Sequence, residues 1–140
     1  MSFLLDTNVL SEGTARQPDA NVVEWLTLQS LDAIHISVVT IGEIDSGIAR
    51  LAAGVRRDRL QLWRDTVVER TGRRLLTVDL NIARAWGVIR AKAQADQRTM
   101  PAIDALIAAT AEVHGLTLVT RNERDFEVWG GPVLNPWLAA

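Results

Sequence analysis

The sequence predicts an α/β protein, a three-layer α/β/α sandwich around a central, mostly parallel sheet of four or five strands. Short apolar runs alternate with longer segments whose apolar residues recur at helical spacing, which is the order of strands and crossover helices in a parallel sheet. A hydrophobic fraction of 48% and a charged fraction of 23% are typical of a globular core. With 140 residues and no repeat or linker, we expect one domain, residues 1–140.

The strands are predicted from short apolar runs bounded by turn residues. The first run ends in a carboxylate, and the next three are rich in leucine, isoleucine and valine. A two-residue run near the C-terminus is a candidate fifth strand. The predicted strands are residues 3–6, 34–38, 75–78, 116–120 and 133–134.

The helices are predicted from apolar stripes and from the residues that begin and end them. Ile41, Ile44, Ile48 and Leu51 form one such stripe, which we expect Gly54 to close. The other predicted helices are residues 19–30, 56–70, 79–97 (with Asp79 or Asn81 as the N-cap) and 101–114, the last ended by Gly115.

Several function classes are excluded by what the sequence lacks. There is no cysteine, so disulfides and thiolate metal sites are excluded and redox chemistry is not expected. No apolar run approaches the roughly 20 residues of a membrane-spanning helix. The start of the chain lacks the basic and apolar regions of a signal peptide, and we therefore expect a cytoplasmic protein.

Arginine accounts for all but one of the fifteen basic residues, although the net charge is −2. Many arginines fall close together, and their planar guanidinium groups suit phosphate binding. A solvated helix surface paired with Asp58, Asp65 and Glu69 explains the pattern equally well. The arginines in question are Arg50, Arg56, Arg57, Arg59, Arg64, Arg70, Arg73 and Arg74.

Asp6 is the first candidate functional residue, because it directly follows the first predicted strand. Ligands of parallel α/β sheets bind beyond the carboxyl ends of the strands. The alternative is an N-cap for a helix that begins near Asn8.

Glu43 lies in the first turn of the helix predicted after the second strand. Thr40 and Glu43 also match a capping box, so a structural role is available. Asp45 is a rival carboxylate on the same helix.

Asp104 lies near the N-terminus of an otherwise apolar helix, with alanine at positions 108 and 111. A carboxylate in such surroundings is costly unless it is paired or bound to a metal. After the last long strand come Asn122 and Asp125, and Arg121 or Arg124 is available to neutralise Asp125 in an ion pair.

Hard oxygen ligands on one rim, without cysteine, favour Mg²⁺ or Mn²⁺ over zinc. Such an ion suits phosphate chemistry. His35 lies within a strand and His114 beside a helix C-terminus, so we expect both to be structural. The tryptophans are expected in the core or in dimer contacts, and the two C-terminal ones are the better candidates for touching a partner; the five are Trp25, Trp63, Trp86, Trp129 and Trp137.

The ordered set of motifs resembles the PIN-domain ribonucleases, in particular the VapC and FitB-like toxins of type II toxin–antitoxin systems. The likeness extends over nearly the whole chain. It rests on five segments: residues 6–12 (DTNVLSE), 37–43 (SVVTIGE), 104–111 (DALIAATA), 118–122 (LVTRN) and 135–137 (NPW).

The resemblance implies a Mg²⁺- or Mn²⁺-dependent endoribonuclease that hydrolyses RNA phosphodiester bonds and so inhibits translation or growth. Asp6, Glu43 and Asp104 match three acidic positions of the family, and Asn122 stands where the fourth acidic residue is usual. Asp125 is a candidate for the missing charge.

The resemblance also implies supporting polar residues and partners. Thr7, Asn8 and Thr120 are the supporting residues, of which the two threonines match hydroxyl positions that hydrogen-bond the acidic cluster. The implied partners are a second copy of the chain, a VapB- or FitA-like antitoxin, RNA as substrate, and DNA only through the antitoxin.

Three other functions share part of this pattern. A phosphotransferase of the haloacid-dehalogenase type needs an aspartate where this chain has Asn8, and a response-regulator receiver needs a lysine after a late strand, whereas Lys92 lies in a predicted helix. The stronger alternative is a catalytically weak binding module with the PIN fold that acts with an antitoxin in DNA-bound regulation, and Asn122 is the residue that favours it.

Overall fold

A computed structural model describes residues 1–138 and places a five-stranded sheet at the centre of the protein. Each pair of neighbouring strands is parallel, and the order is β3-β2-β1-β4-β5, which confirms the predicted sheet. The final two residues of the predicted domain lie outside the described part. The strands are β1 (Phe3–Leu5), β2 (Ile34–Ser37), β3 (Leu75–Leu76), β4 (Thr117–Val119) and β5 (Val133–Leu134).

Six α-helices connect the strands of residues 1–138: α1 (Thr7–Glu12), α2 (Ala20–Leu28), α3 (Val38–Ala49), α4 (Val55–Thr71), α5 (Leu80–Ala95) and α6 (Ala102–His114). Two predicted ends are confirmed. The Asp79 carboxylate accepts a hydrogen bond from the Ile82 backbone N–H at 2.9 Å, as an N-cap does. Gly115 ends α6 in the left-handed conformation, with φ of 64°. None of the described helices is long and apolar enough to cross a membrane.

Helix α3 begins earlier in the sequence than predicted. Ser37 is its N-cap, and the Ser37 hydroxyl accepts from the Val39 N–H at 3.1 Å. The capping box between Thr40 and Glu43 is therefore wrong, because Thr40 is buried inside the helix and Glu43 lies in its second turn. Gly54 does not close this helix either, since α3 ends at Ala49 and Gly54 precedes α4.

The sheet is covered on both faces, which gives the three layers. Leu4 of β1 and Leu118 of β4 belong to a core cluster shared with residues of α5 and α6. Their strand neighbours Phe3, Leu5 and Val119 point to the opposite face, into a second cluster with Val9 of α1 and Val22 of α2. The alternation along each strand thus divides the apolar residues between two layers of helices.

Trp129 belongs to the first of these clusters and is only 6% exposed, and its indole Nε1 donates to Glu112 at 3.3 Å. The expectation that Trp129 is one of the better candidates for touching a partner is therefore wrong for the folded chain. The buried ring is not available to a partner. The sequence did not predict this burial, because Trp129 lies outside the predicted helices, where no apolar stripe indicates which side chains face the core.

The strand order locates the functional end of the sheet. From the central strand β1, the chain places β2 and β3 on one side and β4 and β5 on the other. Between β1 and β4 the order therefore reverses, and such switch points open a crevice beyond the carboxyl ends of the strands. Asp6 and Thr120 are the residues that follow these two strands, so the fold brings them together at the crevice.

Candidate active site

Asp6 lies directly after β1, and its carboxylate accepts three hydrogen bonds, of which the two shortest come from Thr7 and Thr120. Its Oδ1 accepts from the backbone N–H of Thr7 at 2.8 Å, and its Oδ2 accepts from the Thr120 hydroxyl at 2.8 Å. The residue is only 7% exposed. Asp6 is also the N-cap residue of α1, so the structural role that the sequence left open and a position in the crevice coexist.

The Thr120 hydroxyl has a fixed orientation, because it forms hydrogen bonds with three groups at once. Its oxygen accepts from the backbone N–H of Asn122 at 3.1 Å and from the side-chain amide of Asn8 at 3.3 Å. Both of its lone pairs are then used, and its single proton remains for Asp6. Thr120 therefore holds the Asp6 carboxylate in place, which agrees with its predicted supporting role.

Thr7 connects Asp6 to Glu43. While its backbone N–H binds Asp6, its hydroxyl donates to Oε1 of Glu43 at 2.5 Å. Helices α1 and α3 pack against each other, and this contact brings Glu43 to the crevice. The Glu43 side chain is otherwise exposed to solvent. One residue thus positions two carboxylates that are far apart in the sequence.

Asp104 lies in the first turn of α6 and is half-buried. Burial, and to a smaller extent the negative charges of Asp6, Asp125 and Glu43, together raise the pKa of its carboxyl from the ordinary 3.8 to about 6. Ala108 and Ala111, on the same side of the helix, are fully buried. The folded protein therefore disfavours the ionised form of Asp104, as expected for a carboxylate in apolar surroundings.

Asp125 is the fourth carboxylate of the site, in a short turn (Glu123–Phe126) after β4. Its charge raises the pKa of both Asp6 and Asp104, which places it close enough for the three groups to repel one another. The ion pair considered for Asp125 does not form in residues 1–138. Arg121 instead stacks on the Trp137 ring at 5.3 Å.

Asn122, beside Asp125 in the sequence, contributes its backbone N–H to Thr120, and its side chain is exposed at the same end of the sheet. The pKa of Asp6 is raised by burial, although the hydrogen bonds from Thr120 and Thr7 oppose the rise. Asn122, being neutral, adds no charge to this repulsion. Asp125, whose charge raises the pKa of Asp6 and Asp104, stays the candidate for the charge that Asn122 lacks.

Two sequence candidates lie outside the site. Asp45, the rival of Glu43, forms an ion pair with Arg64 at 2.7 Å, and its carboxylate is thereby neutralised. His35 in β2 has its Nδ1 3.3 Å from the carbonyl of Ala33, a local contact that agrees with a structural role.

The carboxylates Asp6, Glu43, Asp104 and Asp125 form no ion pair within residues 1–138, which makes the crevice strongly acidic. In the same part of the chain, however, no three acidic, histidine or cysteine side chains are close enough to hold a metal ion together. The expected crowding of Asp6, Glu43 and Asp104 around one cation is therefore not preformed. The donors fit Mg²⁺ or Mn²⁺ in kind, since all are hard oxygen atoms, and in charge, since they repel one another without a cation.

Sequence reasoning missed the groove that leads away from the site. Ser11 and Thr14 line it beside Thr7 and Glu43, and Arg16 lies at its far end. These residues belong to α1 and to the irregular segment after it, where no periodicity indicates a surface. The signals that the sequence offers are this polar segment directly after the Asp6 motif and the arginine cluster that includes Arg56 and Arg59.

Comparison with known proteins places the chain in a family. The PIN domain model matches residues 3–130. The plasmid stability protein StbB of Pseudomonas syringae is 36% identical, over 98% of this chain and 99% of its own length. The VapC ribonuclease Y4jK of Sinorhizobium fredii is 34% identical (96% and 97%), and the toxin FitB of Neisseria gonorrhoeae is 35% identical (96% and 98%).

Solved structures agree with the sequence comparison. The crystal structure of FitAcB from Neisseria gonorrhoeae superposes with a TM-score of 0.92 at 34% identity, over 96% of this chain and 98% of that one. The structure of FitAB bound to an IR36 DNA fragment gives a TM-score of 0.93 at 33% identity, over 99% and 97%. The chain therefore belongs to the PIN-domain family, among its VapC- and FitB-like members.

Proposed function

We propose that this protein is a metal-dependent endoribonuclease and the toxin of a VapBC-type toxin–antitoxin module. The observation that carries the proposal is the acidic crevice at the switch point of the sheet, where four carboxylates repel one another with no cationic partner in residues 1–138. A divalent cation offsets such repulsion. Relatives that include a VapC ribonuclease and a tRNA(fMet)-specific endonuclease VapC of Shigella flexneri support RNA as the substrate.

In this proposal Asp6 and Asp104 hold Mg²⁺ or Mn²⁺, and Glu43 helps to hold it or orients the attacking water. When bound, such an ion polarises a phosphoryl oxygen and favours deprotonation of water. Asn122 and Asp125 complete the rim, the amide through its oxygen and the carboxylate through its charge. Since the acidic side chains do not form a ready-made site, we expect them to move together when the cation binds.

The chain's own hydrogen bonds support the roles proposed for Thr7, Asn8 and Thr120. Thr120 and the backbone of Thr7 keep Asp6 oriented toward the crevice, and the Thr7 hydroxyl holds Glu43 beside it. The side-chain amide of Asn8 reaches both Thr120 and, at 3.5 Å, Oδ2 of Asp6. These contacts reduce the conformational freedom that the two carboxylates must lose when they bind an ion.

The neighbours in structure support an antitoxin partner and contact with DNA. The FitAB complex is bound to a DNA fragment, and VapBC of Salmonella typhimurium is also described as DNA-bound. We propose a VapB- or FitA-like antitoxin as partner, DNA contact through that antitoxin only, a homodimer as the toxin unit, and the cytoplasm as the location of the substrate RNA.

A second function is favoured by Asn122 and by the site that is not preformed. A protein with a weak metal site keeps the fold and acts as a binding module with its antitoxin in DNA-bound regulation. Titration with Mn²⁺ by calorimetry separates the two functions. The nuclease binds the ion in the crevice, and the Asp104→Asn protein loses that binding, whereas a pure binding module gives no heat in either form.

The nuclease proposal is tested with two matched variants of α3, Glu43→Gln and Asp45→Asn. Each removes one charge, but only Glu43 faces the crevice, because Asp45 is paired with Arg64. We expect Glu43→Gln and Asp6→Asn to lower RNA cleavage in Mg²⁺ by about 100-fold or more, and Asp45→Asn to retain it. Undiminished cleavage by purified Asp6→Asn protein would reject the assignment. Growth arrest on induced expression, absent in Asp104→Ala, tests the toxin role.

A further inference from the structure

A groove leads from the acidic crevice to a basic end. Its inner part, of about 250 Å³, is lined by Thr7 and Glu43 on one side and by Arg56 and Leu60 of α4 on the other. Its outer part, of about 600 Å³, shares Thr14, Arg56 and Leu60 with the inner part. The two parts are therefore continuous, and a linear molecule bound at the crevice has a path along α4.

The outer part is lined by three arginines and by no carboxylate. Arg16 comes from the segment after α1, and Arg56 and Arg59 lie one turn apart on α4. All three are exposed, and none makes a side-chain hydrogen bond or an ion pair within residues 1–138. Their donors are thus available to a ligand, and the region is positive in a protein whose net charge is −2.

Other arginines of the same sequence cluster are already used by the fold. Arg50 donates to the Ser46 hydroxyl at 3.0 Å, and Arg64 binds both Asp45 and Asp65. Arg74 donates to backbone carbonyls, including that of Arg70 at 2.9 Å. The structure therefore separates the basic cluster of the sequence into residues that stabilise the protein and residues that face the groove.

We propose that Arg16, Arg56 and Arg59 bind backbone phosphates of a single-stranded RNA whose cleaved phosphate lies at the acidic crevice. The inference rests on the proposed nuclease function and names the path of its substrate. A guanidinium fork suits the phosphate oxygens. Between the two ends the groove wall is apolar, with Ile44, Leu60 and Trp63, and such a wall suits unpaired bases better than a duplex.

The test compares two double variants that lose the same charge, Arg56→Gln/Arg59→Gln and Arg73→Gln/Arg84→Gln. Arg73 and Arg84 are also exposed and without side-chain partners in residues 1–138, but they do not line the groove. Binding of a fluorescent single-stranded RNA is measured in metal-free buffer, where cleavage does not interfere, at several salt concentrations. Cleavage in Mg²⁺ is measured separately.

We expect the groove variant to bind RNA about tenfold more weakly than the control variant, whatever the RNA sequence. The slope of log Kd against the logarithm of the salt concentration is expected to be smaller by about 1.4, since each phosphate contact on a single strand contributes about 0.7 to that slope. In the cleavage assay KM rises and kcat stays near that of the wild type. Arg16→Gln serves as a second, independent variant and gives about half the change in slope.

The outcomes separate this inference from the function on which it rests. A wild-type protein that cleaves RNA, with a groove variant that matches the control in affinity and slope, overturns the RNA path and leaves the nuclease intact. A wild-type protein that neither binds nor cleaves RNA overturns both. If the groove variant binds RNA normally but loses affinity for a poly-glutamate peptide, the groove binds an acidic protein segment and the RNA proposal is wrong.

Discussion

Replacing Asp104 by asparagine should stabilise the metal-free protein, and the size of the effect should depend on pH. Burial, together with the charges of Asp6, Asp125 and Glu43, raises the pKa of the Asp104 carboxyl to about 6. In the unfolded chain the same group has its ordinary pKa of 3.8. The folded state therefore binds the proton more tightly, and stability is lost as the pH rises from about 4 through 6.

The magnitude follows from the two pKa values. They differ by about two pH units, and each unit corresponds to 1.36 kcal/mol, so the upper limit is about 3 kcal/mol above pH 6. The carboxyl is only half-buried, and solvent screens its interactions, so we expect about 1 to 2 kcal/mol. Removal of the Asp104 charge also reduces the electrostatic repulsion at Asp6, which further stabilises the folded protein.

Urea unfolding of the wild type and of Asp104→Asn, in EDTA at pH 4 to 8, measures the effect. The two proteins should be equally stable at pH 4, and the variant should be more stable above pH 6. Addition of Mn²⁺ at pH 7.5 should then raise the stability of the wild type and leave the variant nearly unchanged. A stability difference that does not vary with pH would refute the reasoning from charge repulsion.

Three other substitutions test the packing around the site. Thr120→Val should destabilise the protein by about 1–3 kcal/mol in urea unfolding, because it removes the hydroxyl that donates to Asp6 and accepts from the N–H groups of Asn122 and Asn8; an unchanged midpoint would contradict the hydrogen-bond assignment. Thr40→Val should instead stabilise by about 1 kcal/mol, because the Thr40 hydroxyl is buried without a partner in residues 1–138, and a loss of stability would mean that this hydroxyl is bonded. Ile107→Ala should lower the free energy of unfolding by about 2–5 kcal/mol, since the side chain is fully buried between α6 and the sheet. A decrease in Tm of less than about 5 °C would show that the core relaxes around the cavity.

The sequence predicted most of what depends on local patterns. Alternating strands and helices led to the parallel sheet, and the rule that ligands bind beyond the strand ends selected Asp6. Asp104 was found because a lone carboxylate in an apolar helix needs an explanation. In each case the evidence lies within a short segment, because the spacing of apolar residues and the presence of a charged residue among them can be seen in the sequence alone.

What the sequence did not predict depends on contacts between distant segments. Ser37 and Thr40 are both good helix caps, and only the end of β2 decides that Ser37 is used. The arginines look alike in the sequence, but Arg64 meets Asp45 across two helices, whereas Arg56 faces the groove. The choice among chemically equivalent residues is made by tertiary packing, which no local pattern records.

The bond between the Thr120 hydroxyl and Asp6 joins positions that lie 114 apart in the chain. In a nascent polypeptide Asp6 therefore lacks this hydrogen bond until Thr120 has been synthesised and β4 has paired with β1. Any activity that needs this hydrogen bond therefore begins only after β4 has joined the sheet.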